Sequence, residues 1–468
     1  MRNTIVLFSI LIGIVLASCS GRNTHKTQQE ETLIPGKVIP KVSCKKDLTQ
    51  SYALYLPSGY SDKKMFPVII AFDAHGTGLK PVELFKEQAE KYGYILVGSN
   101  VSKNGMSWEA TAAHYDLLLA DVLERFGVDK SRIYTCGFSG GSRVASTLAI
   151  TKGGIAGVIG CSAGFPPVKD AIKYKFDYFG YAGNDDMNYA EMVNLDHALD
   201  NSLFRHQLVI FNGTHGWPPK ENIAESIIWT ELNAMKDKKK AIDPDFVKTQ
   251  LSDFDYKLIE IQKKGDKYEE YLITKKIVNY FKDLSDTKKY ETLLAILSQN
   301  ASVKKSIQDE ADAEKKEMMY QQQYVQKLST ENAAWWKNEI SKLNNYIAKS
   351  TNETEKHLVK RVLEYLSLAA FSTCNSLYTQ NNLTEAEHYI ELYAIIDSDN
   401  PEPEFMFAQV YARKKDSDKA MEHLKKAAEL GFNDKSRIEN DTIFFKYNPD
   451  KRFVEAMDII NKNQAKNK

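Results

Sequence analysis

The sequence predicts an α/β protein in which a doubly wound, mainly parallel sheet is followed by an all-α region of repeat-like helices. Three observations lead there. Between about residues 48 and 217, short apolar runs of strand length alternate with stretches whose apolar residues recur at helical spacing. That is the pattern of strands buried on both faces beneath crossover helices. After about residue 225 the strand-like runs stop, glycines become few, and Lys, Glu, Leu and Ala dominate. Near the end, Ala386-Glu387-His388-Tyr389-Ile390 lines up with Ala420-Met421-Glu422-His423-Leu424, 34 residues further on.

The first residues stand outside this pattern. Arg2 is followed by a nearly unbroken apolar run from Ile5 to Ala17, the length of a signal-peptide core and short for a membrane span. It ends in Leu16-Ala17-Ser18-Cys19, which resembles the bacterial lipobox. The resemblance implies a signal peptide over residues 1–18, a lipid on Cys19, and a membrane-anchored envelope protein. Ser20 is not the acidic residue that retains lipoproteins in the inner membrane of enteric bacteria, so the outer membrane is expected. Residues 19–36 are polar and read as a flexible tether.

Strands are expected at Ser51–Leu56, Phe66–Phe72, Tyr94–Gly98, Arg132–Cys136, Ile155–Cys161, Phe176–Tyr181 and Gln207–Phe211. Helices are expected over 83–92, 114–126 and 142–150. The α/β region is drawn as 37–235, a helical region as 236–345, and tetratricopeptide-like repeats as 346–468. In those repeats Ala386 and Ala420 fall where two helices approach closely, and Phe453-Val454-Glu455-Ala456 is a looser third copy.

At 468 residues the chain exceeds one ordinary core, so two or three domains are expected. Lys+Arg and Asp+Glu both number 62, which leaves no electrostatic footprint for nucleic acid. Besides Cys19, the cysteines are Cys44, Cys136, Cys161 and Cys374, with no CxxC and no metal-ligand spacing. Cys136 and Cys161 both sit near the ends of expected strands and could pair in an oxidising envelope, but free buried thiols are the expectation. No cofactor and no metal are called for.

The chemistry is concentrated in Gly137-Phe138-Ser139-Gly140-Gly141, between the strand ending at Cys136 and the helix starting near Ser142. A serine in so tight a strand-to-helix turn needs small neighbours two residues away, and the turn lifts its hydroxyl clear of the sheet. The Gly140 N–H, beside the helix N-terminus, can stabilise an oxyanion. A serine hydroxyl needs a base. His215, in the loop after the last strand, is the candidate, and the loop after Tyr181 offers Asp186 to orient it, with Asp185 in reserve. A second oxyanion donor is expected from Asp73-Ala74-His75-Gly76-Thr77-Gly78, with the Thr77 N–H preferred to Gly76. Asp73 should point away from the oxyanion and bond within its loop, and His75 reads as a structural loop residue. Asn104 and Trp108, in the loop after Gly98, and Trp217, beside the base, are candidate substrate contacts.

Several stretches together resemble the polyhydroxybutyrate-depolymerase and feruloyl-esterase branch of the α/β-hydrolases: Tyr52 to Tyr60, the His75-Gly76 loop, Val128 to Tyr134 with the elbow, Gly183-Asn184-Asp185-Asp186, and Gly213 to Pro218. The resemblance covers under half of the chain. It implies hydrolysis of small or carbohydrate-linked esters with Ser139 as nucleophile, His215 as base and Asp186 as acid. The Asp73-Ala74 start of the oxyanion loop and the long helical tail depart from it. A serine peptidase is the nearest enzymatic alternative. A different class of alternative is an envelope scaffold that binds a partner protein through its helices and carries an inactive hydrolase region.

Overall fold

The structure, a computed structural model, describes residues 33–165, 172–200, 202 and 204–466. Cys19 and the apolar leader lie outside the described residues. No described helix is long and apolar enough to cross a membrane.

Eight strands form one sheet: β1 Val38–Ser43, β2 Ser51–Tyr55, β3 Phe66–Phe72, β4 Ile95–Ser99, β5 Val128–Phe138, β6 Gly157–Cys161, β7 Asp177–Gly183 and β8 His206–Phe211. Their spatial order is β1-β2-β4-β3-β5-β6-β7-β8. β2 runs antiparallel to both β1 and β4, and every later pairing is parallel. β2, β4, β6 and β7 are buried at every position, as strands covered on both faces must be. Five helices follow within this region: α1 Leu79–Tyr92, α2 Trp108–Arg125, α3 Gly140–Lys152, α4 Tyr189–Asp200 and α5 Lys220–Lys236. This is the α/β-hydrolase fold. The parallel registers bring the ends of β3, β5 and β6 level, with Phe72 opposite Gly137 and Phe138 opposite Cys161. The loops that leave these ends therefore meet on one edge of the sheet.

The elements differ from the sequence reading in several places. β1 is an additional edge strand, and its mixed exposure hides the alternation that identifies a strand. α1 starts four residues before the expected position, because Pro81 fits a first helical turn. α2 starts at Trp108, where the Ser107 side chain caps it by accepting from the Ala110 N–H at 3.2 Å. The strand expected at Gln207–Phe211 starts one residue earlier, at His206. Cys44, Cys136, Cys161 and Cys374 are free and buried.

Beyond α5 the chain is helical: α6 Pro244–Lys264, α7 Lys267–Phe281, α8 Lys288–Gln299, α9 Ala301–Lys327, α10 Ala333–Lys349, α11 Glu353–Thr379, α12 Leu383–Ile396, α13 Glu402–Arg413, α14 Ser417–Glu429, α15 Lys435–Asn440 and α16 Lys451–Lys466. The boundaries drawn from composition do not coincide with breaks in the apolar core. Phe85, Ile227 and Trp229 share one cluster with Phe254, Ile277 and Phe281 of α6 and α7. Leu328 and Trp336 share another with Leu358, Leu366 and Ile390. Composition changes after about 225 because the last strand, β8, has ended at Phe211, but the apolar faces of α6–α8 still had to be covered, and the α/β region covers them. From Pro35 onward the chain is one compact unit. Ala386, Ala420 and Ala456 are fully buried in α12, α14 and α16.

Candidate active site

Ser139 sits between β5 and α3 with φ 54° and ψ −120°, a backbone conformation that a non-glycine residue occupies only under constraint. The constraint is packing. A Cβ on Gly137 would lie 2.2 Å from the Gly141 carbonyl oxygen, and one on Gly141 would lie 2.1 Å from that of Phe72. Only glycine at both positions lets the turn close.

Three loops converge there. His215 Nε2 lies 3.0 Å from Ser139 Oγ, and His215 Nδ1 lies 2.9 Å from Asp186 Oδ1. The arrangement fits the tautomer in which Nδ1–H donates to Asp186 and Nε2 accepts the serine proton. Asp186 is fully buried, and its Oδ1 also accepts the Asn188 N–H at 2.8 Å. Its Oδ2 has no hydrogen-bond partner among the described residues. Asp185 turns the other way, to His357 Nδ1 at 2.5 Å and Lys360 Nζ at 2.9 Å on α11.

Asp73 bonds within and beside its own loop. Its carboxylate accepts the His75 N–H at 2.9 Å, the Thr77 hydroxyl at 2.7 Å and the Trp217 indole N–H at 2.8 Å. Burial alone would raise this carboxyl, but the hydrogen bonds from His75, Trp217 and Thr77 outweigh it and hold the group well below the usual carboxylate range. The Gly76 N–H is taken up by the Asp73 carbonyl at 3.0 Å, so it is not free to serve as an oxyanion donor. The N–H groups of Thr77 and of Gly140, the first residue of α3, have no acceptor among the described residues. Asn104 reaches the elbow: its side-chain oxygen occupies the space beside Gly140, 1.8 Å from where a Cβ would stand, and its N–H donates to the Ala74 carbonyl at 2.9 Å. Trp217 packs on Phe138, with ring centroids 5.8 Å apart, and its bond to Asp73 makes it a strut between the base loop and the oxyanion loop. Trp108 is half-buried at the start of α2, with no hydrogen bond or ring contact to the three central residues among those described. His75 is exposed at the rim.

Sequence reasoning missed two residues. Ser162, after β6, also holds a positive φ of 59°. It donates its hydroxyl to the Gly216 carbonyl at 2.8 Å, while its own carbonyl accepts Asn188 Nδ2 at 2.8 Å. It thus ties the base loop to the acid loop, and no local motif marks it. Glu364, on α11, accepts the Met187 N–H at 3.3 Å. Burial, with the Asp186 carboxylate nearby, pushes Glu364 up to about 7. A cleft of about 680 Å³ opens between His215, Met187 and His75 on one side and helical residues including Glu364, Phe371, Tyr393 and Arg437 on the other.

No family model matches the chain, and no curated protein matches it. Solved structures do. The S-formylglutathione hydrolase of Staphylococcus aureus is 15% identical over 42% of this chain and 99% of its own, with a TM-score of 0.35. The feruloyl esterase module of Clostridium thermocellum is 13% identical over 41% and 87%, with a TM-score of 0.35. An esterase of Pyrobaculum calidifontis is 14% identical over 42% and 85%, with a TM-score of 0.34.

Proposed function

We propose that this chain is a serine hydrolase that cleaves carboxylic esters, held at the bacterial cell envelope by a lipid on Cys19. The observation that carries the chemistry is the hydrogen-bonded series from Ser139 through His215 to Asp186, built on a serine held at φ 54°. In this reading Ser139 Oγ gives its proton to His215 Nε2 as it attacks the ester carbonyl. Asp186 fixes the imidazole tautomer and stabilises the imidazolium. The N–H groups of Thr77 and Gly140 receive the oxyanion. Collapse of the tetrahedral intermediate expels the alcohol, which takes the proton from His215. Water, deprotonated by the same imidazole, then releases the acid and restores the serine. None of these steps draws on a cofactor.

The cleft favours a substrate whose remaining portion is neutral and hydroxyl-bearing, as in a carbohydrate-linked ester. Asp397, Asp399 and Glu402 line it against one arginine, Arg437, which is already paired to Glu402 at 2.6 Å. An anionic ester would meet like charge there. The helices that form this wall include the tetratricopeptide-like pairs. In this reading they cap the site, rather than standing apart to bind a partner protein.

The test is covalent. A fluorophosphonate should label wild-type protein at Ser139, and Ser139→Ala should abolish both labelling and p-nitrophenyl acetate hydrolysis in a folded protein, a loss of at least about 10³-fold. Hydrolysis retained in Ser139→Ala would eliminate the mechanism. Faster cleavage of peptide amides than of esters would replace esterase with peptidase.

A further inference from the structure

Four side chains on α11 point at the loop that carries Asp186. His357, Lys360, Arg361 and Glu364 are spaced by three and four residues, so they form a single stripe on the helix. His357 Nδ1 bonds Asp185 Oδ1 at 2.5 Å, and its Nε2 lies 3.5 Å from Asn184 Nδ2. Lys360 takes the other Asp185 oxygen at 2.9 Å. Arg361 donates to the Asn184 carbonyl at 2.8 Å, and its guanidinium lies 4.1 Å from the centre of the Tyr189 ring. Arg361 is itself fixed by a buried ion pair with Glu317 of α9. Glu364 accepts the Met187 N–H and lines the cleft together with His215.

The stripe engages residues 184, 185, 187 and 189 and forms no hydrogen bond with Asp186. Ordinary helix docking needs apolar contact, which α11 already has through Leu358, Val362 and Leu366. It does not need four polar side chains on one stripe to turn toward a single short loop. Loops of this kind are mobile unless they are tied down. Within the α/β region, Asn184 of the acid loop donates its N–H to the Phe211 carbonyl at 2.8 Å, accepts the Gly213 N–H at 3.0 Å and bonds the Asn212 side chain at 3.3 Å. Asp185 is bonded to the Gly213 carbonyl and Asn188 to Ser162. Met187, by contrast, has only its bond to Glu364 among the described residues, and the Asp185 carboxylate only His357 and Lys360.

We propose that α11 is a positioning clamp: it sets the acid loop, and through it Asp186, against His215, so that hydrolysis by the α/β region depends on residues 172–177 positions further along the chain. This rests on the esterase reading above. His357, Lys360 and Glu364 are positioning residues, because they act through the loop and not on the ester.

The experiment uses the full chain with three changes: His357→Gln combined with Lys360→Met, Glu364→Ala, and Glu364→Gln. Folding is checked by circular dichroism and by Tm. The clamp predicts that kcat for p-nitrophenyl acetate falls about 10- to 100-fold in the double variant and in Glu364→Ala, with KM within about twofold, as expected for a misplaced catalytic group. Glu364→Gln keeps an acceptor for the Met187 N–H and should retain most activity. Amide hydrogen exchange of the peptide spanning 183–189 should rise in the first two variants only. If the double variant fails to fold, Asp185→Asn removes the same pair from the loop side and should lower kcat about tenfold. Folded variants with unchanged kcat and unchanged exchange, or with a rise in KM alone, would overturn the clamp. Wild-type protein that neither reacts with a fluorophosphonate nor hydrolyses the ester would defeat the esterase reading instead, and the exchange data would still decide the clamp.

Discussion

The oxyanion loop, residues 73–78, and the loop that carries Asp186 both approach Ser139, but only the second is also tied to the helical region. The oxyanion loop is held from within. Asp73, 1% exposed, gathers its own loop and the Trp217 indole through three hydrogen bonds. The acid loop is held from two sides, by the Phe211, Asn212, Gly213 and Ser162 region of the α/β part and by α11 of the helical region. The difference teaches that half of the site is a property of the α/β region alone, whereas the other half is shared with the helices. A domain boundary after α5 would cut through the site as well as through the core.

The sharpest break of this comparison separates two adjacent carboxylates. Asp186→Asn should lower kcat about 10⁴-fold, because the amide favours the wrong imidazole tautomer. Asp185→Asn should cost about tenfold, because it loosens a loop without touching the base. Equal losses in steady-state assays would erase the distinction between acid and anchor.

Asp73→Ala tests the internally supported loop. It leaves the Trp217 N–H and the Thr77 hydroxyl without their acceptor, so a stability loss of about 1–3 kcal/mol is expected by denaturant unfolding. The fall in kcat/KM should multiply with that of Glu364→Ala, since distant supports act independently. A double variant no worse than either single variant would mean that the two loops share one support.

A third prediction concerns pH. The Glu364 carboxyl lies near 7 in the folded chain, above the value of about 4.3 expected when unfolded. Its stabilising contribution is therefore complete below the unfolded value and is lost as pH rises through 7. The Tm of wild-type protein should fall from pH 5 to pH 8 more steeply than that of Glu364→Gln, which stays neutral. Parallel slopes would place Glu364 outside this linkage. The smallest effect is expected from Trp108→Ala, with kcat unchanged and at most a slight rise in KM, since Trp108 belongs to α2 and to neither loop.

The parts of the site that were legible are those written locally. Gly137, Ser139 and Gly141 could be read together because the turn folds Gly137 onto Gly141 within one short motif, although the approach of Gly141 to the Phe72 carbonyl is a tertiary contact. Asp73 could be expected to turn inward because a carboxylate facing an oxyanion would oppose it. β1 escaped because an edge strand carries no clean alternation. Ser162 and Glu364 escaped because their partners are remote in sequence, and a serine after a strand or a glutamate on a helix is ordinary in itself.

The sequence by itself determined the parallel sheet, the tight strand-to-helix turn at Ser139, the candidate residues Ser139 and His215 with the Asp185-Asp186 pair between them, and a helical tail, because each depends on periodicity or on neighbours a few residues apart. Only the tertiary structure decided which of Asp185 and Asp186 faces His215, and that helical residues line the cleft beside His215. Both depend on the direction of side chains in a loop and on contacts between residues more than 170 positions apart. No local pattern encodes those; the packing of α11 against the sheet region does.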